Sequence, residues 1–281
     1  MAVKIVTDST ADIPSNLIAE YGIEVVPLNV HFGEEVFKDG VDIWSEEFYN
    51  KLRNEPLLPN TSQPSPGEFL KAYQKIAQPG DTIISIHISR EMSGTADSAE
   101  LAAQMAGADY QIRVVDSRNV SMGLGIIVLK AAKAAKNGET ADSILAKLSE
   151  WKQEVSVYFT LKSLEYLHRT GRIGKASALL GGLLSIKPIL QIEDGLIVPA
   201  EKIRGNYQKV AELMVEKLAE RYGSRPLLAG IVHTELPGEL EILKTAAQKR
   251  LNIDELVINL VGPIVGTHAG PYTIGIIALP V

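Results

Sequence analysis

Two rhythms of apolar residues alternate through the first half of this sequence. Short β-branched runs bounded by turn residues give way to stretches in which apolar residues return every third or fourth position. Such alternation predicts βαβ units and a parallel sheet. Val3 to Val6 reads as the first strand, followed by the polar turn Thr7-Asp8-Ser9-Thr10-Ala11-Asp12. A helix between Pro14 and Gly22 follows, since proline suits a first helical turn and glycine the left-handed residue that ends one. Val25 to Phe32 extends again, Gly33 to Gly40 reads as a hairpin, and Ser45 is a candidate N-cap for a helix carrying Phe48, Tyr49 and Leu52. Ser65-Pro66-Gly67-Glu68 has the form of a capping box, with Phe69, Ala72, Tyr73 and Ile76 after it at helical spacing. Thr82 to Ile88 is a strand, an alanine-rich helix ends near Gly107, and Ile112 to Val115 is a strand closing on Asp116. Two more helices, one ending near Gly138 and one capped by Thr140, lead to an expected domain boundary near Gln153.

The second half mixes hairpin and crossover signals. Val155 to Leu161 predicts a strand, and Ala176 to Ile186 a helix that is apolar nearly all round and rich in small residues. Pro188 to Ile192 and Leu196 to Pro199 flank Asp194-Gly195, a strong hairpin turn. Amphipathic helices over Tyr207 to Tyr222 and Glu239 to Leu251 surround a strand from Leu227 to Val232. Val257 to Leu260 and Ile274 to Leu279 close the fold. The expectation is an α/β protein of two domains, 1–153 and 154–281.

Composition narrows the function. The 281 residues include 28 basic and 34 acidic ones, a net charge of −6 that argues against binding to a phosphate backbone. With no cysteine there are no disulfides, thiol nucleophiles or cysteine-ligated metals. No run approaches the twenty or so apolar residues of a membrane span, and the N-terminus reads as a strand rather than a signal peptide. A cytoplasmic protein is the expectation.

Candidate chemistry sits in the loops. The passage from Ile88 to the helix starting near Gly94 places Ser93, Gly94 and Thr95 beyond the carboxyl end of a strand, where helix N–H groups favour an anion. The same pattern fits a serine that caps its own helix. Thr61-Ser62-Gln63-Pro64 is a second hydroxyl-rich segment, facing the same crevice or simply preparing the cap at Ser65. Gly266-Thr267-His268 puts an imidazole among small, turn-forming residues, either at a ligand or solvated in a loop. Arg172, in a basic, glycine-punctuated segment from Tyr166 to Gly174, suits an anion or helix carbonyls equally. Asp8, Asp12 and Asp116 need no more than turn chemistry. No histidine has a partner at metal-ligand spacing, so no metal is assigned. The 176–186 helix lines a greasy tunnel or is plain core.

Taken in order, Thr7 to Asp12, Thr61 to Gly67, Ser93-Gly94-Thr95, Tyr166 to Gly174 and Gly266-Thr267-His268 resemble the DegV family of bacterial fatty-acid-binding proteins. The resemblance runs nearly end to end. It implies a three-layer α/β/α N-terminal domain with a mostly parallel sheet and a C-terminal α/β domain with a mixed sheet, a long-chain fatty acid lying between them. It also implies, for some members, a separate ATP-dependent kinase that phosphorylates the bound carboxyl group to acyl phosphate for phospholipid synthesis. Carried over by position, Thr61, Ser62, Ser93, Gly94 and Thr95 bind the head group, with Thr267 and His268 on the same network. Arg172 and Arg204 match basic positions near the pocket or the kinase-docking face. No catalytic residue and no cofactor beyond the fatty acid are implied, and a monomer is the default. Tyr272 stands where members often carry glycine, which puts the local backbone in question. The competing expectation is an acyl hydrolase or transferase with Ser93 as nucleophile and His268 as base, although Met92-Ser93-Gly94-Thr95 is not a G-x-S-x-G elbow.

Overall fold

In the computed structural model the described residues are 2–55, 57–107, 110–180 and 187–281. The chain begins with β1 (Val3–Asp8), a 3-10 turn (Ser9–Ala11), α1 (Ser15–Tyr21), β2 (Glu24–Val26), β3 (Asn29–Phe32) and β4 (Glu35–Lys38). It continues through α2 (Ser45–Asn54), β5 (Asn60–Ser62), α3 (Pro66–Ile76), β6 (Thr82–His87), α4 (Thr95–Ala106) and β7 (Gln111–Asp116). Two long helices follow, α5 (Met122–Lys136) and α6 (Ala141–Glu154). The rest comprises β8 (Ser156–Thr160), α7 (Glu165–Arg169), a 3-10 segment (Gly174–Leu179), β9 (Lys187–Glu193) and β10 (Leu196–Ile203). It ends with α8 (Tyr207–Tyr222), β11 (Leu227–His233), α9 (Pro237–Arg250), β12 (Ile253–Leu260), α10 (Pro263–Ala269) and β13 (Ile274–Pro280).

Three sheets result. The first is all parallel, in the order β2-β1-β6-β7. Alternate residues of its central strands face opposite layers, as a period of two requires. Ile5, Ile84 and Ile86 pack on α5 and α6, whereas Val6 and Ile83 pack on Phe69 and Tyr73 of α3 and Ala99 and Ala102 of α4. The large mixed sheet runs β10-β9-β8-β13-β11-β12, antiparallel except where β11 meets β12. Helices α8 and α9 cover one of its faces. On the other, Leu228, Val232, Ile277 and Leu279 share a core with α5 and so with β1 and β6. A small antiparallel sheet, β4-β3-β5, carries the hairpin between Gly33 and Gly40 and packs on α2.

Several local expectations are met in detail. Ser65 and Glu68 form a reciprocal capping box on α3, and Thr140 caps α6. Asp194 and Gly195 both take positive φ, 53° and 81°, the geometry of a tight hairpin turn between β9 and β10.

Others are corrected. Ser45 is the first helical residue of α2, not its N-cap; Trp44 occupies that place without a side-chain bond, and Glu46 and Glu47 complement the helix end instead. Ser93 likewise precedes the N-cap of α4, which is Gly94. The extended stretch from Val25 to Phe32 breaks at Pro27-Leu28, so that β2 and β3 join different sheets. His268 does not sit in a loop: Gly262 and Pro263 start α10, and His268 lies on its last turn. Gly266 reads locally as a turn residue, yet it serves close packing, since a β-carbon there would lie 2.6 Å from the Tyr49 hydroxyl. Only the first part of the 176–186 helix falls within the described residues, and Gly174–Leu179 is a 3-10 turn; residues 181–186 lie outside them.

Helix α5 is the strut that joins the two large sheets, and Gly125 lets it approach the turn after β1. A methyl group there would run into the Ala11 carbonyl oxygen, part of the backbone. Gly125→Ala is therefore expected to destabilise the protein by about 1–3 kcal/mol, measured by urea unfolding. A variant as stable as the parent would show that this contact has slack.

Candidate functional site

The site is assembled at the carboxyl ends of β1 and β6, where a doubly wound sheet leaves a crevice. The Asp8 carboxylate, fully buried, accepts from the Thr10 and Ile88 backbone N–H groups at 3.0 Å each and from the Thr10 hydroxyl. His87 Nδ1 is a further partner at 3.0 Å. The far side of that ring meets Ser85 Oγ at 2.6 Å, which in turn meets the Tyr73 hydroxyl at 2.9 Å. Burial pushes the Tyr73 phenol up to about 12, so it serves as a donor at any physiological pH. This chain fixes the two loops bearing Thr10 and Ile88, both of which line a cavity of about 360 Å³.

The cavity runs from these N-terminal loops across the inner face of the large mixed sheet. Val157 and Phe159 of β8, Ile192 of β9, Ile197 of β10, and Gly275 and Ile277 of β13 form much of that wall. Polar groups gather where Thr61, Gln63, Ser93, Gly94, Arg172 and His268 meet.

Each of these is held by a partner from the described chain. Thr61 Oγ1 and His268 Nε2 share a hydrogen bond at 2.9 Å across 207 positions of sequence. The other ring nitrogen of His268, Nδ1, is buried and has no hydrogen-bond partner among the described residues. Burial, with the Arg172 charge adding to it, pulls the imidazole down from 6.5 to about 4, so the ring is neutral at pH 7. Ser93 Oγ pairs with Thr95 Oγ1 at 2.8 Å and accepts from the Thr95 N–H at 3.3 Å. Gln63 Nε2 donates to Ser98 Oγ on the first turn of α4 at 2.9 Å. The Arg172 guanidinium donates to the carbonyls of Met92 and Thr170, at 3.3 and 2.6 Å, so it bridges the loop before α4 to the segment after α7.

The sequence-derived site residues therefore divide. Thr61, Ser62, Ser93, Gly94, Arg172 and His268 line the cavity. Thr95 and Thr267 are buried behind it, Thr95 holding Ser93 and Thr267 donating to the Pro263 carbonyl inside α10. Arg204 is exposed just beyond β10 and is not among the lining residues. Tyr272 takes the left-handed conformation at φ 66°, points outward at 51% exposure, and lies under the Lys162 ammonium at 4.5 Å. The backbone geometry of a glycine is thus kept by a tyrosine, and His268 keeps its place. Ser93 and His268 each bond a different hydroxyl, so the nucleophile–base bond of the acyl-hydrolase expectation is not formed. Among the described residues no group of histidines and carboxylates could hold a metal ion.

Sequence reading understated three contributors. Gln63 lines the cavity, as does Ser121, which donates to the Asp12 carboxylate. Asp12 also accepts from the Gly262 N–H at 3.0 Å and so anchors the start of α10. Burial raises Asp12 well above the usual carboxylate range and its neighbour Asp39 to about 7. The positive φ of Asp12, 50°, is the turn chemistry its sequence suggests; its partner 250 positions away left no local trace.

A family model described as "Uncharacterised protein, DegV family" matches residues 2–281. A DegV domain-containing protein of Caldanaerobacter subterraneus subsp. tengcongensis is 36% identical over 276 residues, 98% of this chain and 97% of its own. The fold is similar to that of a DegV family protein from Thermus thermophilus described for fatty acid binding, with a TM-score of 0.94 at 33% identity and both chains fully covered. It is likewise similar to DegV, a fatty acid binding protein from Bacillus subtilis, with a TM-score of 0.89 at 33% identity over the whole of both chains. With this sequence match and this fold, the chain belongs to the DegV family.

Proposed function

We propose that the protein binds one long-chain fatty acid, its tail along the inner face of the mixed sheet and its carboxyl group among Thr61, Ser93 and His268. The observation that carries this reading is that Thr61, Ser93 and His268 line the same cavity as Phe159, Ile192 and Ile277, with the buried Nδ1 of His268 finding no hydrogen-bond partner among the described residues. A buried polar atom without a partner is costly and marks a place where a ligand group completes the network. The tail provides the affinity: at about 0.8 kcal/mol per methylene, a sixteen-carbon chain gains about 10 kcal/mol before the costs of association. The head needs compensation, because an unpaired carboxylate in such a site costs several kcal/mol. Hydroxyls and the N–H groups of α4 provide it without a lysine or arginine clamp on the anion, as Arg172 spends two of its donors on backbone carbonyls.

The carboxyl group so held is presented to a separate ATP-dependent kinase protein. One carboxylate oxygen attacks the γ-phosphorus of the partner's ATP, the bond to ADP breaks, and acyl phosphate and ADP result. The sequence has no G-x-x-x-x-G-K-[ST] phosphate loop of its own, and neutral donors leave the oxygen more nucleophilic than a cationic clamp would. No helix among the described residues is long and apolar enough to cross a membrane.

Solvent extraction of freshly purified protein followed by mass spectrometry is expected to yield a fatty acid of about fourteen to eighteen carbons. Delipidated protein should gain about 2.7 kcal/mol of stability when palmitate is present at a hundred times its dissociation constant. An empty extract together with no thermal shift would contradict the reading.

Ser93→Ala is expected to weaken palmitate binding about tenfold, the loss of one hydrogen bond to a charged group, and Thr61→Ala to weaken it through His268, because the Thr61 hydroxyl that donates to Nε2 is what keeps the proton on Nδ1 for the carboxylate. Calorimetric titration checks this, and unchanged affinity in both variants would place the head group elsewhere.

The pH response follows from His268. Its folded value of about 4 lies below the ordinary 6.5, so between these limits the unfolded chain takes up a proton that the folded chain refuses. Stability is therefore lost as pH falls from 6.5 towards 4, and His268→Gln should remove that loss. Asp39, raised to about 7, works in the opposite direction over the same range, so the comparison to make is parent against variant by urea unfolding at several pH values. Parallel curves would contradict a buried neutral imidazole.

A further inference from the structure

Two separate elements supply the polar end of the cavity: β5 with Thr61, and the N-terminus of α4 with Ser93 and Thr95. What joins them is the Gln63 side chain. Its amide donates to Ser98 on α4 and occupies the space beside Gly94 where a side chain would begin. A β-carbon at Gly94 would meet Gln63 Oε1 at 2.5 Å and Nε2 at 2.9 Å. The backbone at Gly94 does not itself call for glycine, since φ −76° and ψ 13° are open to any residue. Among the described residues beyond its own chain neighbours and helix backbone, the atoms nearest to the missing β-carbon all belong to the Gln63 amide.

We propose that Gln63 is a positioning residue that sets the distance between the Thr61–His268 pair and the Ser93–Thr95 pair, and that position 94 is glycine to seat its amide. This rests on the fatty-acid reading, but it concerns how the head-group site is registered rather than which ligand fills it. The far end of a glutamine is flexible, so a methyl group at position 94 displaces the amide at little cost to folding. The effect falls instead on the alignment of donors, where small displacements forfeit charge-assisted bonds.

The experiment measures affinity for palmitate and for its methyl ester in the delipidated parent protein, Gln63→Ala, Gly94→Ala and the double variant, with thermal unfolding alongside. Parent protein that binds neither ligand would sink the fatty-acid reading itself. Given binding, Gln63→Ala is expected to lower the preference for acid over ester about tenfold, with the melting temperature close to the parent's. A side chain that merely braced the fold would weaken both ligands alike, and that result overturns the proposal. Gly94→Ala should lose at least as much preference alone, yet cost nothing further once Gln63 is alanine. An equal loss in both backgrounds would mean that the added methyl group obstructs the ligand directly, which also overturns it. Gln63→Ala and Gln63→Asn are substitutions of an exposed side chain, so the acid-over-ester comparison stands even where Gly94→Ala folds poorly; Gln63→Asn, too short to reach Ser98, is expected to behave as alanine does.

Discussion

A polar group at the end of an apolar cavity is tolerable only when something bonds it, and in this protein the bonding groups come from distant parts of the chain. Thr61 finds His268, Gln63 finds Ser98, and Arg172 finds the carbonyls of Met92 and Thr170. These bonds tie β5, α4, α7 and α10 around one small volume. Among the described residues they leave Nδ1 of His268 without a hydrogen-bond partner. The rest of the architecture holds those elements in register. Asp8, with four hydrogen bonds, fixes the loops after β1 and β6. Asp12 fixes the start of α10, and α5 welds the parallel sheet to the mixed one.

The division between the sheets explains how one site serves two physical demands. Loops at the end of a parallel sheet offer helix N–H groups and hydroxyls, which suit an anion. The inner face of the mixed sheet offers a dry, β-branched wall, which suits an alkyl chain. Neither surface alone makes a fatty-acid site. Position 275, near the start of β13, lines the cavity as a glycine because a β-carbon there would lie 2.9 Å from that of Phe159 on β8.

Much of this was legible in the sequence where the signal is local. The Ser65 to Glu68 box, the Asp194-Gly195 turn and the β-branched run of β6 are each fixed by neighbours within a few residues, and each forms as expected. The order of the motifs carried the family. What stayed hidden depends on partners far along the chain. Gly266 looks like a turn residue but admits Tyr49 against a short helix, while Gly270 does end that helix, at φ 74°, and also admits Tyr166; read locally, the two glycines suggest a loop around His268. Ser45 and Ser93 have the chemistry of N-caps, yet the chain enters each helix one residue to the side, and register at that level is set by tertiary packing. Gln63 sat in plain view within Thr61 to Pro64, but its value lies in meeting Gly94, which no spacing rule reveals.

The most direct test is a crystal structure of the protein with palmitate bound. The account predicts the carboxyl group within hydrogen-bonding distance of His268 Nδ1 and Ser93 Oγ, with the alkyl chain against Phe159, Ile192 and Ile277. A carboxyl group at the opposite end of the cavity, or a cavity filled by side chains with the ligand elsewhere, would contradict it.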